Sequence, residues 1–406
     1  MRLIRCPRPP LAPASGAARR SQTVGALAVV ASVALLSAAC GSSNSSGTSG
    51  TTPKSSISRA GIAAANALID KYLGVPSFHA TGPAFSAKSA RGKKVMMISL
   101  TDQVAFNVYI EQAMKAALAS AGVQAKDFTD SGSVSEWVQG MNTAISDRDN
   151  AVALIGIDPA QIGPQITAAQ NAGLKVIDGQ YTDISQAYPA PFTDMPRVDS
   201  QDVLDGELEG ASAIVHRNGA AHVLAVESTD SPDSTTMVTG IRKIFAQDCK
   251  ACTLSVVNVP IADWTTTGQS TVQSALTAHP DTNFVIPTFD AMVSTFVAAA
   301  INASGNTSNY QIATADGSPA VLKMLEQHDL VVTDVGVGYQ WVGWTFADQI
   351  LRALTGAKAA PTSAEIAPVR VFTSANVGST GTPPSVSEGY GDGYQTGFPK
   401  QWSLSS

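Results

Sequence analysis

The stretch LSVVNVPIADWTTTGQSTVQSALTAHPDTNFVIPTFDAMVSTFVAAAINA, residues 254–303, decides the fold class. A short apolar run (254–259) leads through a polar turn into a helical segment (268–279); a second apolar run (283–287) leads into a second helical segment (291–303). Short apolar runs that alternate with amphipathic helical stretches imply β-α units, and such units in series build a mostly parallel sheet.

The alternation continues outward in both directions. Apolar runs at 95–100, 151–157, 174–177, 222–226, 311–315 and 330–335 read as strands. Helical segments fall between them at 108–120, 134–148, 160–172, 203–216, 237–246, 318–327 and 342–354. Two tandem arrays of this size predict an α/β fold of two doubly wound parallel-sheet lobes joined by a hinge. In such sheets ligands sit outside the carboxyl ends of the strands, so the pocket is expected between the lobes, in the loops that follow the strands.

The N-terminal region has a different character. Arg2, Arg5, Arg8, Arg19 and Arg20 precede an uncharged apolar stretch, VGALAVVASVALLSAA at 24–39, of signal-peptide length. It is shorter than the ~20 apolar residues that a spanning helix needs, so export is favoured over permanent insertion. GSSNSSGTSGTTPKSSIS at 41–58 is low-complexity Gly/Ser/Thr, the composition of a flexible tether. A helix is expected over 59–73 from the spacing of Ile62, Ala65, Leu68, Ile69, Tyr72 and Leu73, and a connector carries the chain to the main body near Lys93. The expected partition is a signal peptide (1–39), a lipidated cysteine and tether (40–58), an N-terminal helix and connector (59–92), an N-lobe (93–200 with 338–358) and a C-lobe (201–337 with 359–406).

Composition narrows the function class. With 44% hydrophobic and 14% charged residues the chain is globular rather than disordered, and a net charge of −6 without a Lys/Arg stripe in the mature region argues against a nucleic-acid partner. The five histidines, His79, His216, His222, His279 and His328, fall singly, which offers no metal a ligand set. There is no nucleophile elbow, Walker loop or dinucleotide fingerprint, so neither a cofactor nor an enzymatic activity is expected. Cys249 and Cys252 in DCKAC stand three residues apart; in an oxidising compartment they can close a small disulfide loop or remain two thiols, and no thioredoxin-like context marks a redox motif.

Several segments carry a resemblance. LLSAAC at 35–40 resembles the lipobox of bacterial lipoproteins, which implies lipidation of Cys40 and anchoring at the outer face of the cell membrane, although Ser37 stands where leucine is usual. IADW (261–264), HPDTNFV (279–285) and FDAM (289–292) look, in order and spacing, like the ADW, AHPD and NDEMA blocks of type I periplasmic binding proteins of the ribose and galactose class. IDPA (157–160), NAGLKVI (171–177), ADGSP (315–319) and GFPKQW (397–402) support it. The resemblance implies an extracytoplasmic, monomeric receptor that closes on a sugar or sugar-like solute and delivers it to an ABC permease. It places Ser99, Gln103 and Phe106 in the first-strand loop, Trp264 as a second stacking aromatic and Asp316 as the carboxylate that accepts ligand hydroxyls.

Departures from the family pattern point to the ligand. The Asp-Arg expected after residue 177 is Gln180-Tyr181, the second-lobe arginine falls among residues 235–237 and is absent, Phe289 replaces an asparagine, and Tyr339 and Trp341 flank the hinge Gln340. The expected cleft is therefore more aromatic and less charged than one for a simple pentose. A sensor that signals to a membrane receptor, or a binder of aromatic or nucleoside-like solutes, would share every one of these features.

Overall fold

The computed structural model describes residues 57–102, 104–386 and 388–404. The signal segment, Cys40, residues 41–56 of the tether and Gln103 lie outside the described residues. The chain enters through α1 (Arg59–Asp70), whose N-terminus is capped by the Ser58 side chain accepting from the Gly61 N–H. The first lobe follows as β1 (Lys94–Ser99), α2 (Ala105–Ser120), β2 (Gln124–Asp127), α3 (Val134–Ser146), β3 (Ala151–Ile155), α4 (Gly163–Asn171), β4 (Lys175–Asp183) and β5 (Arg197–Ser200). The second lobe runs as α5 (Asp202–His216), β6 (His222–Glu227), α6 (Pro232–Asp248), β7 (Thr253–Asn258), α7 (Gly268–Ala278) and β8 (Phe284–Pro287). It continues through α8 (Asp290–Met292), a π turn (Val293–Val297), α9 (Ala298–Ala303), β9 (Ile312–Asp316), α10 (Pro319–Glu326) and β10 (Val331–Val337). The chain then forms α11 (Tyr339–Thr355) on the first lobe, β11 (Val369–Phe372) on the second and finally α12 (Gly393–Gln401).

The first sheet has the order β2-β1-β3-β4-β5 and is parallel throughout. The second has the order β11-β10-β9-β8-β6-β7 and is parallel except for the antiparallel edge strand β11. Both sheets are doubly wound, as the alternation of runs and helices predicts. Period-two alternation divides each strand between two cores. In β1, Val95 and Met97 face α2 and α11, whereas Met96 and Ile98 face α3 and α4. In β6, Leu224 and Val226 face α7, α9 and α10, whereas Val223 and Ala225 face α5, α6 and α1. Each fully buried Met or Ile contributes roughly 2–3 kcal/mol.

Glycines let α5 and α6 approach closely. A Cβ on Gly206 would stand 1.9 Å from the Met237 carbonyl oxygen, and one on Gly240 would stand 2.2 Å from that of Val203. At the C-terminal end of α6, Cys249 and Cys252 are joined as a disulfide.

The end of the chain departs from the expected partition. Tyr394, Phe398 and Trp402, spaced by four residues, form one stripe on and just beyond α12 and pack against Trp341, Val342 and Phe346 of α11, so they complete the first lobe rather than the second. The buried Asp348 carboxylate fastens this junction: it accepts from Trp402 Nε1 (2.6 Å), Gln401 Nε2 (3.1 Å), Thr81 Oγ1 (2.9 Å) and Arg352 Nε (2.6 Å). Three segments link the lobes beside the cleft: β5 into α5, β10 into α11, and the stretch before β11. Gln201 Nε2 donates to the Ala367 carbonyl (2.9 Å) and so ties the first to the third.

Candidate functional site

The carboxyl ends of the strands of both sheets face a cleft of about 500 Å³ between the lobes. The first lobe lines it with Phe106 at the start of α2, Gly156 and Asp158 after β3, and Gln180 and Tyr181 of β4. The second lobe supplies Asp230 to Asp233 after β6, Ile261 and Trp264 after β7, Phe289 after β8 and Asp316 at the end of β9. Phe106, Gln180, Asp233, Phe289 and Asp316 also line a smaller inner recess of about 60 Å³, with Asp199, Asp202, Asp205 and Tyr339 behind them.

Each aromatic is fixed by its own contacts. Trp264 follows a 3₁₀ turn, and its indole N–H donates inward to Ser228 Oγ (2.9 Å) and the Val259 carbonyl (3.2 Å), while its ring leans on Phe289 and Phe296 at centroid distances of 6.5 and 6.2 Å. Phe106 stacks on Tyr339 at 5.4 Å and 20°. The Tyr339 hydroxyl donates to Asp316 Oδ1 at 2.6 Å, so a chain of contacts crosses from the first lobe to the second. Two cleft residues hold left-handed backbone that non-glycine residues rarely adopt, Gln180 at φ 57° and Asp316 at φ 127°. Conformational strain of this kind collects where the surrounding structure aims a side chain at a ligand.

The electrostatics are one-sided. Asp316 accepts from Tyr339 and from the Asp290 N–H (3.2 Å), Asp290 accepts from the Ser318 N–H (2.6 Å), and Asp334 accepts from the Gly317 N–H (2.9 Å). Burial first, and then mutual repulsion, pushes Asp205, Glu209, Asp290 and Asp316 well above the ordinary carboxylate range and Asp334 up to about 8. The Asp334 charge repels that of Asp290 and so favours protonation of the Asp290 carboxyl. Among the described residues no Lys, Arg or His lines the cleft or the recess. Among the described residues no group of three or more His, Cys, Asp or Glu is placed to hold a metal ion.

A strand-end cleft between two doubly wound lobes is the architecture of periplasmic solute receptors, and the family model described as "Periplasmic binding protein domain" matches residues 95–358, more than half of the chain. The chain belongs to this family. No curated protein matches it by sequence. Among solved structures, an ABC transporter solute-binding protein from Burkholderia graminis in complex with D-arabinose is 18% identical, with 71% of this chain and 97% of that one covered at a TM-score of 0.61. A solute-binding protein from Mycobacterium smegmatis with bound glycerol is 18% identical over 70% of this chain and 95% of that one, at 0.59. One from Agrobacterium vitis with bound allitol is 15% identical over 71% and 97%, at 0.60. At such identities the likeness establishes the fold alone.

Within this periplasmic binding protein domain, Phe106, Gln180, Tyr181, Trp264, Phe289, Asp316 and Tyr339 meet at the cleft and its recess. Ser99 does not. It is fully buried, with its hydroxyl 3.3 Å from Asp102 Oδ1 and hydrogen-bonded to Glu111, whose carboxyl burial pushes up to about 7. Trp341 is likewise buried in the first lobe, against Tyr394 and Phe78. The expectation of a less charged cleft is overturned. The two missing arginines remove positive charge, but Asp202 and Asp205 of α5 and Asp233 of α6 bring in ionisable carboxyl groups. Asp202 and Asp205 sit three apart at the start of α5, where acidic residues commonly favour the helix dipole, so the sequence offered them an ordinary structural reading.

Proposed function

We propose that this periplasmic binding protein domain is the solute receptor of an ABC importer, and that it captures a sugar or sugar-like molecule by closure of its two lobes. The observation that carries the reading is the cleft itself: flat rings of Phe106, Trp264 and Phe289 for the C–H faces of a sugar, with the acceptor Asp316 aimed among them. The lobes are joined by three crossing segments, a layout suited to hinge closure. The domains crystallised with arabinose, glycerol and allitol support the ligand class. In this reading the chain is exported, lipidated at Cys40 and tethered to the outer face of the membrane by residues 41–58, with 1–39 removed; it turns over nothing and acts as a monomer.

Thermal unfolding and tryptophan fluorescence of the soluble receptor against a panel of sugars, polyols and nucleosides test the reading, because a ligand that binds only the folded state raises its apparent stability. A concentration-dependent rise in Tm with one panel member is the expected outcome, and Trp264→Ala should abolish it. No rise with any member, at millimolar concentration, refutes sugar capture. Metabolic labelling with a radioactive fatty acid tests the anchor: wild type should label and Cys40→Ser should not.

A further inference from the structure

The inner recess gathers more carboxyl groups than a neutral sugar can use. Asp316 already accepts from Tyr339 and from the Asp290 N–H, and Asp202 accepts from Ser200 Oγ (2.6 Å). Asp205 is different. It is 5% exposed and lines the recess, and its Oδ1 has no hydrogen-bond donor within the protein. Glu209, one helical turn along α5 and close enough to feel the Asp205 charge, is fully buried and has no donor on either oxygen. A buried acceptor without a donor is costly, and a buried carboxylate without a counter-charge more so. Hydroxyl groups of a neutral polyol would supply hydrogen bonds but no positive charge to favour the ionised carboxylates.

Resting on the reading above, we propose that the ligand carries a protonated amine on its sugar-like frame, held by the carboxylates of Asp205, Asp233 and Asp316. An ammonium group offers up to three donors and one positive charge, and in a water-poor recess both are stronger than in bulk solvent. Phe106 and Phe289 line the same recess, and aromatic faces attract organic cations. Among the described residues no set of carboxylates is placed to hold a metal ion, which favours an organic cation. Burial raises the Asp205 and Asp316 carboxyls and so favours their protonated forms, whereas a bound cation favours the ionised ones, so binding releases protons.

The test is isothermal titration of the soluble receptor with D-glucosamine, D-galactosamine and the iminosugar 1-deoxynojirimycin. D-glucose, D-galactose, N-acetyl-D-glucosamine, choline and Ca²⁺ run alongside. The expected result is binding by at least one amine-bearing sugar and none by its neutral counterpart. Heats in phosphate and Tris buffers should differ by an amount that reports proton release. Asp205→Asn, which keeps the shape and removes the charge, should weaken that ligand about 100-fold. Equal or tighter binding of the neutral sugars overturns the charge inference and leaves sugar capture standing. Binding of choline alone upholds the charge and overturns the sugar frame. Stabilisation by Ca²⁺ alone, or by none of the probes, overturns the inference, and buffer-independent heats with a bound amine refute the ionisation of the recess.

Discussion

Asp334→Asn should stabilise the unliganded protein at neutral pH and do little for it in acid. Asp334 is fully buried and sits among Asp316, Asp290, Glu209 and Tyr390; it accepts from the Gly317 N–H, and burial with the Asp316 charge raises its carboxyl from the ordinary 3.8 to about 8. The folded protein therefore keeps a proton that the unfolded chain loses on the way from pH 4 to pH 8. Stability contributed by this group is complete below the unfolded value and falls as pH rises toward the folded one, by about 1.4 kcal/mol per unit. Over the roughly three units between pH 4 and pH 7 the loss comes to about 4 kcal/mol. Asparagine has no proton to lose, still accepts from Gly317 and can donate to Asp290. With about 0.7 kcal/mol/K of unfolding entropy for a body of this size, the variant should gain on the order of 5 °C in Tm over wild type at pH 7, with the gap closing toward pH 4. Differential scanning fluorimetry of both proteins from pH 4.5 to 7.5 measures this. A gap that stays constant across the range would show that Asp334 is ionised in the folded state at acid pH, and would refute the account of the buried cluster.

Other expectations follow from the same contacts. Asp348→Ala takes the carboxylate partner from the buried Arg352 guanidinium and releases Trp402, Gln401 and Thr81; it should cost about 3–5 kcal/mol, seen as a lower urea midpoint. Gly206→Ala drives a methyl into the Met237 carbonyl and should cost about 3 kcal/mol at unchanged secondary-structure content by circular dichroism. Tyr339→Phe removes the hydroxyl that joins the lobes through Asp316 and should weaken a confirmed ligand by about tenfold in titration, with thermal stability changed by about 1 kcal/mol. The Cys249–Cys252 bond closes only a very short loop, and its reduction should lower stability by about 2 kcal/mol, read as a small drop in Tm with dithiothreitol.

The limits of sequence reading follow the sheet edges. All eight apolar runs became strands, and every helical segment between them became helix. The three strands that no run announced, β2, β5 and β11, each lie at the edge of a sheet. An edge strand has a neighbour on one side only, so QAKD in β2 and RVDS in β5 can stay polar where an inner strand must be apolar on both faces. The α12 helix escaped notice for a related reason. Its GYQTGFPKQ sequence has poor helix propensity, and it is held by Tyr394 and Phe398 packing on α11, a partner fifty residues upstream.

The same division governs the site. By itself the sequence determined two parallel-sheet lobes and a cleft at their strand ends, because periodicity and strand-end position are local properties that the chain carries wherever it folds; the resemblance to the family blocks is what pointed to the aromatics Phe106, Trp264 and Phe289. Only the tertiary structure decided that Ser99 turns inward to Glu111, that α12 completes the first lobe, and that Asp202, Asp205 and Asp233 converge on the recess. Burial and charge are sums over neighbours distant in sequence. An aspartate at the start of a helix looks the same in a sequence whether it meets solvent or four other carboxylates.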